Sequence, residues 1–442
     1  MGLVYPLPTL QSAKSAKEIH LEDCLGKTVL VIGGGGREHA IVDALSRSPQ
    51  VSRIYCAPGN AGIGELAFNV PLKDTDVEGL KAFALENSVD LTVVGPEAAL
   101  AAGIVDAFRA AGLKIFGHTA SATRIESSKE FAKELMLKYG IPTAAYRSFS
   151  DYDEALAYVS DRPFPAVIKY DGLAAGKGVV IAQDLEESRK ALSDMLLDEA
   201  FGKGRVVIED YLTGPEFSFL CFVDGERVYP MPLSQDHKRA FDGDEGPNTG
   251  GMGAYTGLPF ITPEDKEFAF KEIMCKAASA MVAEGVPLSG VLYGGLMKTL
   301  QGIKVIEFNA RFGDPETEVV LPLLESDIFD IFEAVATGEP LDDEPHWTEG
   351  VTLGVVLASK GYPGKYEKGF VIEGLDSVEG RIYHMGTAWR DGSLVTAGGR
   401  VLMVVSGGSD LADARAKVYE EVRKVRCGNL FYRNDIAHCA LD

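Results

Sequence analysis

The stretch Val305-Ile-Glu-Phe-Asn-Ala-Arg-Phe-Gly-Asp-Pro-Glu316 decides how this chain is read. It opens as an apolar strand and places Glu307, Asn309 and Arg311 at alternate positions. Side chains two apart on a strand share a face, so a carboxylate, an amide oxygen and a guanidinium are expected to project together. Asp314 and Glu316 follow in a loop opened by Gly313 and stiffened by Pro315. A hard divalent cation bound to nucleotide phosphates takes oxygen ligands from one or two protein groups, and Glu307 and Asn309 are of that kind. Arg311 offers a bidentate grip on a carboxylate or phosphate. Alternation more often marks an edge strand with a solvated face. Here the other face, Ile306, Phe308 and Ala310, is apolar, so the polar face is expected to line a cleft.

Upstream, the strand Pro165–Tyr170 carries Lys169 and runs into the loop Asp171-Gly-Leu-Ala-Ala-Gly-Lys-Gly178. Mobile backbone amides at Gly176 and Gly178, with Lys169 and Lys177, can close over a triphosphate and offset its charge. The strand Arg205–Glu209 then ends in Glu209-Asp-Tyr-Leu212. Glu209, Asp210 and Leu212 give the acceptors, backbone groups and apolar wall that an adenine needs, and Glu216 is placed to accept from ribose hydroxyls. A single lysine on a strand is usually surface decoration; three such elements in this order argue against that. A third polar segment is Ser234–Arg239 with Gly246–Ala254. Long glycine-rich loops inside compact domains are usually functional, and Asp236, Lys238 and Arg239 suit an anionic substrate or a metal. His39 and His237 could each act as a base, but a single histidine without a visible partner is more often structural.

The N-terminal part has a different rhythm. Apolar strands at Thr28–Ile32, Ile54–Ala57, Leu91–Val94 and Lys114–Phe116 alternate with helical stretches at 77–87 and 98–111. That alternation predicts an open parallel sheet, with ligands at the carboxyl ends of its strands. The loops there are Gly33–His39, Pro58–Gly62 and Gly95–Glu97. Neither a dinucleotide fingerprint nor a Walker loop fits Gly33–Gly36, because the required glycine or Gly-Lys-Ser/Thr positions are missing. A sugar-phosphate cradle at a helix N-terminus and a plain tight turn both remain open there. A helix near Ser127–Tyr139 leads into the next unit, and a long helix is expected near 263–284. The segment from Val351 onward is rich in Gly and Val and ends in a helix at 410–424. No internal repeat is present.

With 442 residues the chain exceeds one ordinary core. Its divisions are expected at 27–125 (α/β), 126–345 (nucleotide domain with a lid at about 144–212) and 346–442 (a small α+β domain). Residues 1–26 read as a disordered extension or an expression leader, without the apolar run of a signal peptide. A net charge of −22 argues against nucleic acid and anionic membranes as partners. Six cysteines without a CxxC pair fit a reducing, cytoplasmic setting. No apolar run approaches the roughly 20 residues of a membrane span.

Lys169, the GLAAGKG loop, Glu209 and the Glu307/Asn309 pair resemble the ATP-grasp superfamily. GGGGREHA (33–40), PGNAG (58–62), VGPEAAL (94–100), SQDHKR (234–239), GPNTGGMGAY (246–255) and EFNARFGDPETE (307–318) narrow the likeness to its phosphoribosylamine–glycine ligase family. The resemblance runs from Thr28 to the C-terminus. It implies small-molecule substrates: ATP and glycine pass through glycyl phosphate, and 5-phosphoribosylamine is converted to glycinamide ribonucleotide. It implies Mg²⁺ or Mn²⁺ on Glu307 and Asn309, and Lys129 beside Lys169 at the nucleotide. Arg311, Lys169 and Asp236 would serve the chemistry. Gly35, Arg37, Glu38, Gly59, Asn60, Pro96, Glu97, Lys238, Asn248 and Asp314 would hold the other substrates. A monomer or weak homodimer is expected, with no downstream purine enzyme fused after the final helix. Many ATP-grasp enzymes place a further acid or Gln on the preceding strand. Here Tyr293–Thr299 has no carboxylate, so either a second metal leans on Glu307 and the phosphates or another segment supplies a ligand.

Overall fold

The structure, a computed structural model, describes residues 26–172, 174 and 178–441. The expected N-terminal extension up to residue 25 and the residues Gly176 and Lys177 lie outside the described residues.

The first sheet has five parallel strands in the order Phe68–Asn69, Val51–Pro58, Lys27–Gly33, Leu91–Val94, Ile115–Phe116. Lys27–Gly33 is apolar on both faces because helices cover both; Val29, Leu30, Val31 and Ile32 are fully buried. It is also the first strand in the chain, and the later strands lie on either side of it. The crevice where strand order reverses therefore opens at its carboxyl end. Gly33–Arg37, Pro58–Asn60 and Gly95–Glu97 meet there, at Ile32↔Ala57 and Ile32↔Val94. The stretch expected as one helix at 98–111 is two, Glu97–Ala101 and Ile104–Ala110. Gly103, with φ of +82°, breaks it.

The second sheet is antiparallel, in the order Tyr146–Phe149, Val206–Asp210, Ala166–Tyr170, Val179–Ala182. The helices Tyr152–Ser160 and Leu185–Leu192 pack on it around Phe149, Ile168, Leu192, Val206 and Ile208. The strand Tyr146–Phe149 and the first of these helices have too short a pattern to stand out in the sequence.

The third sheet joins segments that the sequence suggested were separate. From one edge it runs Gly302–Asn309, Ser289–Thr299, Glu216–Asp224, Ser234–Asp236, Gly253–Thr256, Val351–Ser359, Arg400–Gly408, Arg381–His384, every pair antiparallel. The C-terminal strands thus extend the sheet that carries Glu307 rather than forming one of their own. The helix Leu411–Val422 covers them. The strand that carries Glu307 stops at Asn309, and Arg311 lies in the loop beyond it.

Candidate active site

The three sheets enclose a cavity of about 530 Å³. Sixteen residues predicted from the sequence line it: Arg37, Glu97, Lys129, Lys169, Gly178, Glu209, Asp210, Leu212, Glu216, Asp236, Lys238, Asn248, Glu307, Asn309, Arg311 and Asp314. They run from Arg37 to Asp314, and Arg400 of the C-terminal strands adds to the wall, so the cavity exists only in the folded whole.

At one end the lid meets the body. Glu209 stands between two lysines: Lys169 Nζ is 2.8 Å from Oε1, and Lys133 Nζ is 2.7 Å from Oε2. Lys169 also donates to the carbonyl of Ile306 (3.0 Å), next to Glu307. Asp210 pairs with Arg162 within the lid. Lys129 donates to the carbonyl of Gly172 at 2.8 Å, at the base of the glycine loop. Met136, Val167, Ile181 and Met297 supply apolar walls beside these charges.

At the other end charges dominate. Arg311 lies 3.5 Å from Glu97 and 3.3 Å from Glu126. Glu126 also accepts from the Ala310 amide (2.7 Å), which fixes the turn that aims Arg311. Burial disfavours charge on Arg311, but Glu126 and Glu97 outweigh it and raise the guanidinium above its ordinary value. Burial likewise opposes the Glu97 carboxylate, and Arg311 and Arg37 hold it below the ordinary range. Glu126 is pushed up by burial.

Glu307 lies between the two ends. Enclosure works against its charge, yet Lys238, Lys169, Lys129 and Arg311 together keep it below the ordinary carboxylate range. The strand pairs Glu307 with Gly295 and Asn309 with Tyr293. A side chain at residue 295 would crowd Glu307, since a Cβ there would sit 3.2 Å from its Cγ. An ionised carboxylate and an amide oxygen facing one cavity suit Mg²⁺ or Mn²⁺, with phosphates completing the shell. Among the described residues no cluster of three or more His, Cys, Asp or Glu could hold a metal by itself. Glu316 also lines the cavity, and its Oε1 accepts from Ser218 and Tyr293, both at 2.9 Å. Asp236 is pushed up to about 7, by enclosure first, with Lys238 opposing and Glu316 and Glu216 adding to it. Lys238, 2.8 Å from Glu216, is raised well above its ordinary value by Asp236 and Glu216 against burial.

Five predicted residues do not line the cavity: Gly35, Glu38, Gly59, Asn60 and Pro96. Glu38 is spent locally, accepting from the Gly35 amide (2.7 Å) and pairing with Arg37 (2.6 Å). The Asn60 side chain donates to the carbonyls of Gly34 (3.0 Å) and His384 (2.6 Å) and accepts from the Ile63 amide (2.9 Å). It fastens the loop to the C-terminal strands. Arg239 also stays out; it donates to the Gly246 carbonyl (2.7 Å) across its own hairpin. The histidines read as structural do hold backbone. His39 accepts from the His384 amide (2.8 Å), and burial lowers it to about 3. His237 accepts from the Ala437 amide at 3.0 Å.

The sequence reading missed Glu126, Lys133, Tyr293 and Arg400, all on the cavity wall. Lys133 had a usable signal, because it follows Lys129 by four residues and so shares its helix face. Glu126 and Arg400 had none, as each acts through partners remote in the chain.

Three models of the phosphoribosylglycinamide synthetase family together match most of the described body. The N domain matches residues 27–126, the ATP-grasp (A) domain 127–317 and the C domain 352–439. The chain belongs to this family. A phosphoribosylamine–glycine ligase of Halalkalibacterium halodurans is 52% identical over 417 residues, 93% of this chain and 97% of the other. One of Listeria innocua is 51% identical over 92% of this chain and 98% of the other. The crystal structure of the Thermotoga maritima phosphoribosylamine–glycine ligase superposes with a TM-score of 0.81 at 34% identity, covering 92% and 99% of the two chains. A biotin carboxylase domain from Hydrogenobacter thermophilus, solved with MgADP, ADP and bicarbonate, shares the fold. Its TM-score is 0.73 at 17% identity, over 92% of each chain. The activity of the family member described here is ATP-dependent carbon–nitrogen ligation, joining phosphoribosylamine and glycine in purine biosynthesis.

Proposed function

We propose that the cavity between the three sheets is where this ligation occurs, through glycyl phosphate. The supporting observation is the position of Glu307, whose charge is held by lysines of the nucleotide end and by Arg311 of the opposite end. A carboxylate such as glycine's does not condense with an amine in water, because oxide is a poor leaving group. ATP solves this by phosphorylating the carboxylate. Phosphoryl transfer needs positioning and charge neutralisation more than covalent help.

Lys129, Lys169 and the glycine loop hold the nucleotide, with Glu209, Asp210, Leu212 and Glu216 at its base and ribose. Mg²⁺ or Mn²⁺ held by Glu307 and Asn309 would draw charge off the transferring phosphate. Arg311 orients the glycine carboxylate, and one of its oxygens takes the γ-phosphoryl group as ADP leaves. The amine of 5-phosphoribosylamine then attacks the carbonyl carbon. The new C–N bond forms as the C–O bond to phosphate breaks. Asp236, near neutrality in its proton affinity, accepts the proton that the amine loses. Arg37, Glu97, Lys238, Asn248 and Asp314 surround the sugar and the reacting amine. Glycyl phosphate is hydrolysed by water, so the lid must close before it forms.

The test uses glycine labelled with ¹⁸O in its carboxylate. Transfer of one label into inorganic phosphate is expected; unlabelled phosphate alongside full product formation would sink the acyl phosphate route. We also read the enzyme as cytoplasmic and as a monomer or weak homodimer. Among the described residues no helix is long and apolar enough to cross a membrane.

A further inference from the structure

One buried cation on the cavity wall has no part in the chemistry above. Lys133 lies on the helix Lys129–Tyr139 and is only 2% exposed. Its Nζ reaches Glu209 Oε2 at 2.7 Å and donates to Thr143 Oγ1 at 2.7 Å. The Thr143 hydroxyl in turn donates to the carbonyl of Val305 at 2.7 Å. Lys169 closes the other side: it sits 2.8 Å from Glu209 Oε1 and donates to the carbonyl of Ile306. Two lid residues, Lys169 and Glu209, are thus clamped to consecutive carbonyls of the strand that carries Glu307.

Among the described residues Glu209 Oε1 makes no directed hydrogen bond, although Lys169 is within ion-pair distance. The better-anchored partner of this carboxylate is Lys133. If Lys169 turns to a phosphate, Glu209 becomes a buried carboxylate that needs another cation, since an unpaired buried charge is strongly disfavoured. We infer that Lys133 is a positioning residue for ATP: it holds Glu209 and the lid strand in place while Lys169 leaves Glu209 for the nucleotide. This rests on the reading of Lys169 and Glu209 as nucleotide contacts. Burial lowers Lys133 to about 8, with Glu209 raising it in part and Lys169 lowering it. The Tyr146 ring, 5.8 Å away, is the other group facing it. Lys133 therefore starts to lose its charge in the mildly alkaline range.

The experiment compares K133M, K133R and E209Q with the parent enzyme in ATP, glycine and phosphoribosylamine saturation, alongside calorimetric ADP binding and thermal melting. K133M is expected to raise KM for ATP about tenfold, the worth of one charge-assisted contact. The KM values for glycine and phosphoribosylamine should stay within about twofold, since no contact to them is lost. The parent's KM for ATP should climb above pH 8. K133R, which keeps its charge, should bind ATP more tightly than K133M and lack that climb. Equal rises in all three KM values, or an unchanged KM for ATP in a folded K133M, would overturn the inference. E209Q separates the two levels: if it binds ADP normally, the nucleotide-site reading itself fails. If E209Q loses ADP while K133M does not, only the role of Lys133 fails.

Discussion

Arg400 and Asp314 form an ion pair at 2.9 Å across the junction between the C-terminal strands and the loop that follows the strand of Glu307. The same guanidinium donates to the carbonyl of Gly250 at 2.7 Å, in the loop that brings Asn248 and Thr249 to the cavity. One side chain from the last quarter of the chain therefore sets two loops of the active site. Arg400→Ala is expected to destabilise the fold by about 1–3 kcal/mol by stranding partly buried acceptors. It should raise KM for phosphoribosylamine about tenfold, one charged contact's worth, with KM for ATP changed by less than about twofold. Parallel substrate titrations check this; an ATP defect as large as the other would show that the junction serves the whole cavity.

Asp236 gives a pH signature. Its carboxyl is raised to about 7, so it is a proton acceptor above that value and loses the role below it. The rate of amide formation should fall about tenfold per pH unit on the acid side of 7. Asp236→Asn should lower kcat by about 100-fold or more and flatten that limb, the usual scale for a lost general base. Glycine-dependent phosphoryl transfer should be less affected, because that step needs no proton acceptor. A variant that keeps the acid limb would assign the proton to another group.

Glu318 supplies a stability prediction. It is fully buried, and among the described residues neither carboxylate oxygen has a hydrogen-bond partner. A methyl group on Gly36, at the N-terminus of the helix Gly36–Ser46, would collide with its Oε1. Burial first, with Asp314 adding and Arg400 opposing, raises it well above the ordinary glutamate value. The folded state therefore holds a proton that the unfolded chain releases. Stability is full below the ordinary value and is lost as pH rises toward the raised one, by about 1.4 kcal/mol per pH unit. Glu318→Gln cannot ionise, so its melting temperature should exceed the parent's at pH 8–9 and match it near pH 5. A gap that does not change with pH would exclude this proton linkage.

Local patterns carried far in this sequence. Four of the five strands of the parallel sheet were readable because each is a short apolar run before a polar loop, whereas Phe68–Asn69 is too short and too exposed to stand out. The strand of Glu307 was readable because alternation places Glu307 and Asn309 together. Roles that depend on which neighbour claims a side chain were not readable. Glu38 and Asn60 sit in the expected loops, and their polar atoms are engaged by the Gly35 amide and the Arg37 guanidinium, and by the Gly34 and His384 carbonyls and the Ile63 amide, respectively. Glu126 and Arg400 act through partners 184 and 86 or more positions away, a separation no pattern in the sequence encodes. The merged central sheet was missed for a similar reason: the pairing Gly253–Thr256 with Val351–Ser359 joins segments about one hundred residues apart.

The last prediction concerns Glu307, where four cations converge on one carboxylate. Two roles are combined there, since the same charge would hold a divalent cation and keep Lys238, Lys169, Lys129 and Arg311 from repelling one another. Alanine removes both, whereas Glu307→Gln keeps the shape and an oxygen donor but not the charge. Both variants should lose turnover by about 100-fold or more, because stabilising transferred phosphate charge is worth several kcal/mol. Both should also fold, as judged by melting and circular dichroism. The discriminating measurement is a Mg²⁺ titration of ATP consumption. The half-saturating Mg²⁺ concentration should rise at least about tenfold in Glu307→Gln, for loss of a charged ligand. An unchanged Mg²⁺ requirement with near-normal turnover would remove Glu307 from the metal site and leave it the role of charge balance alone.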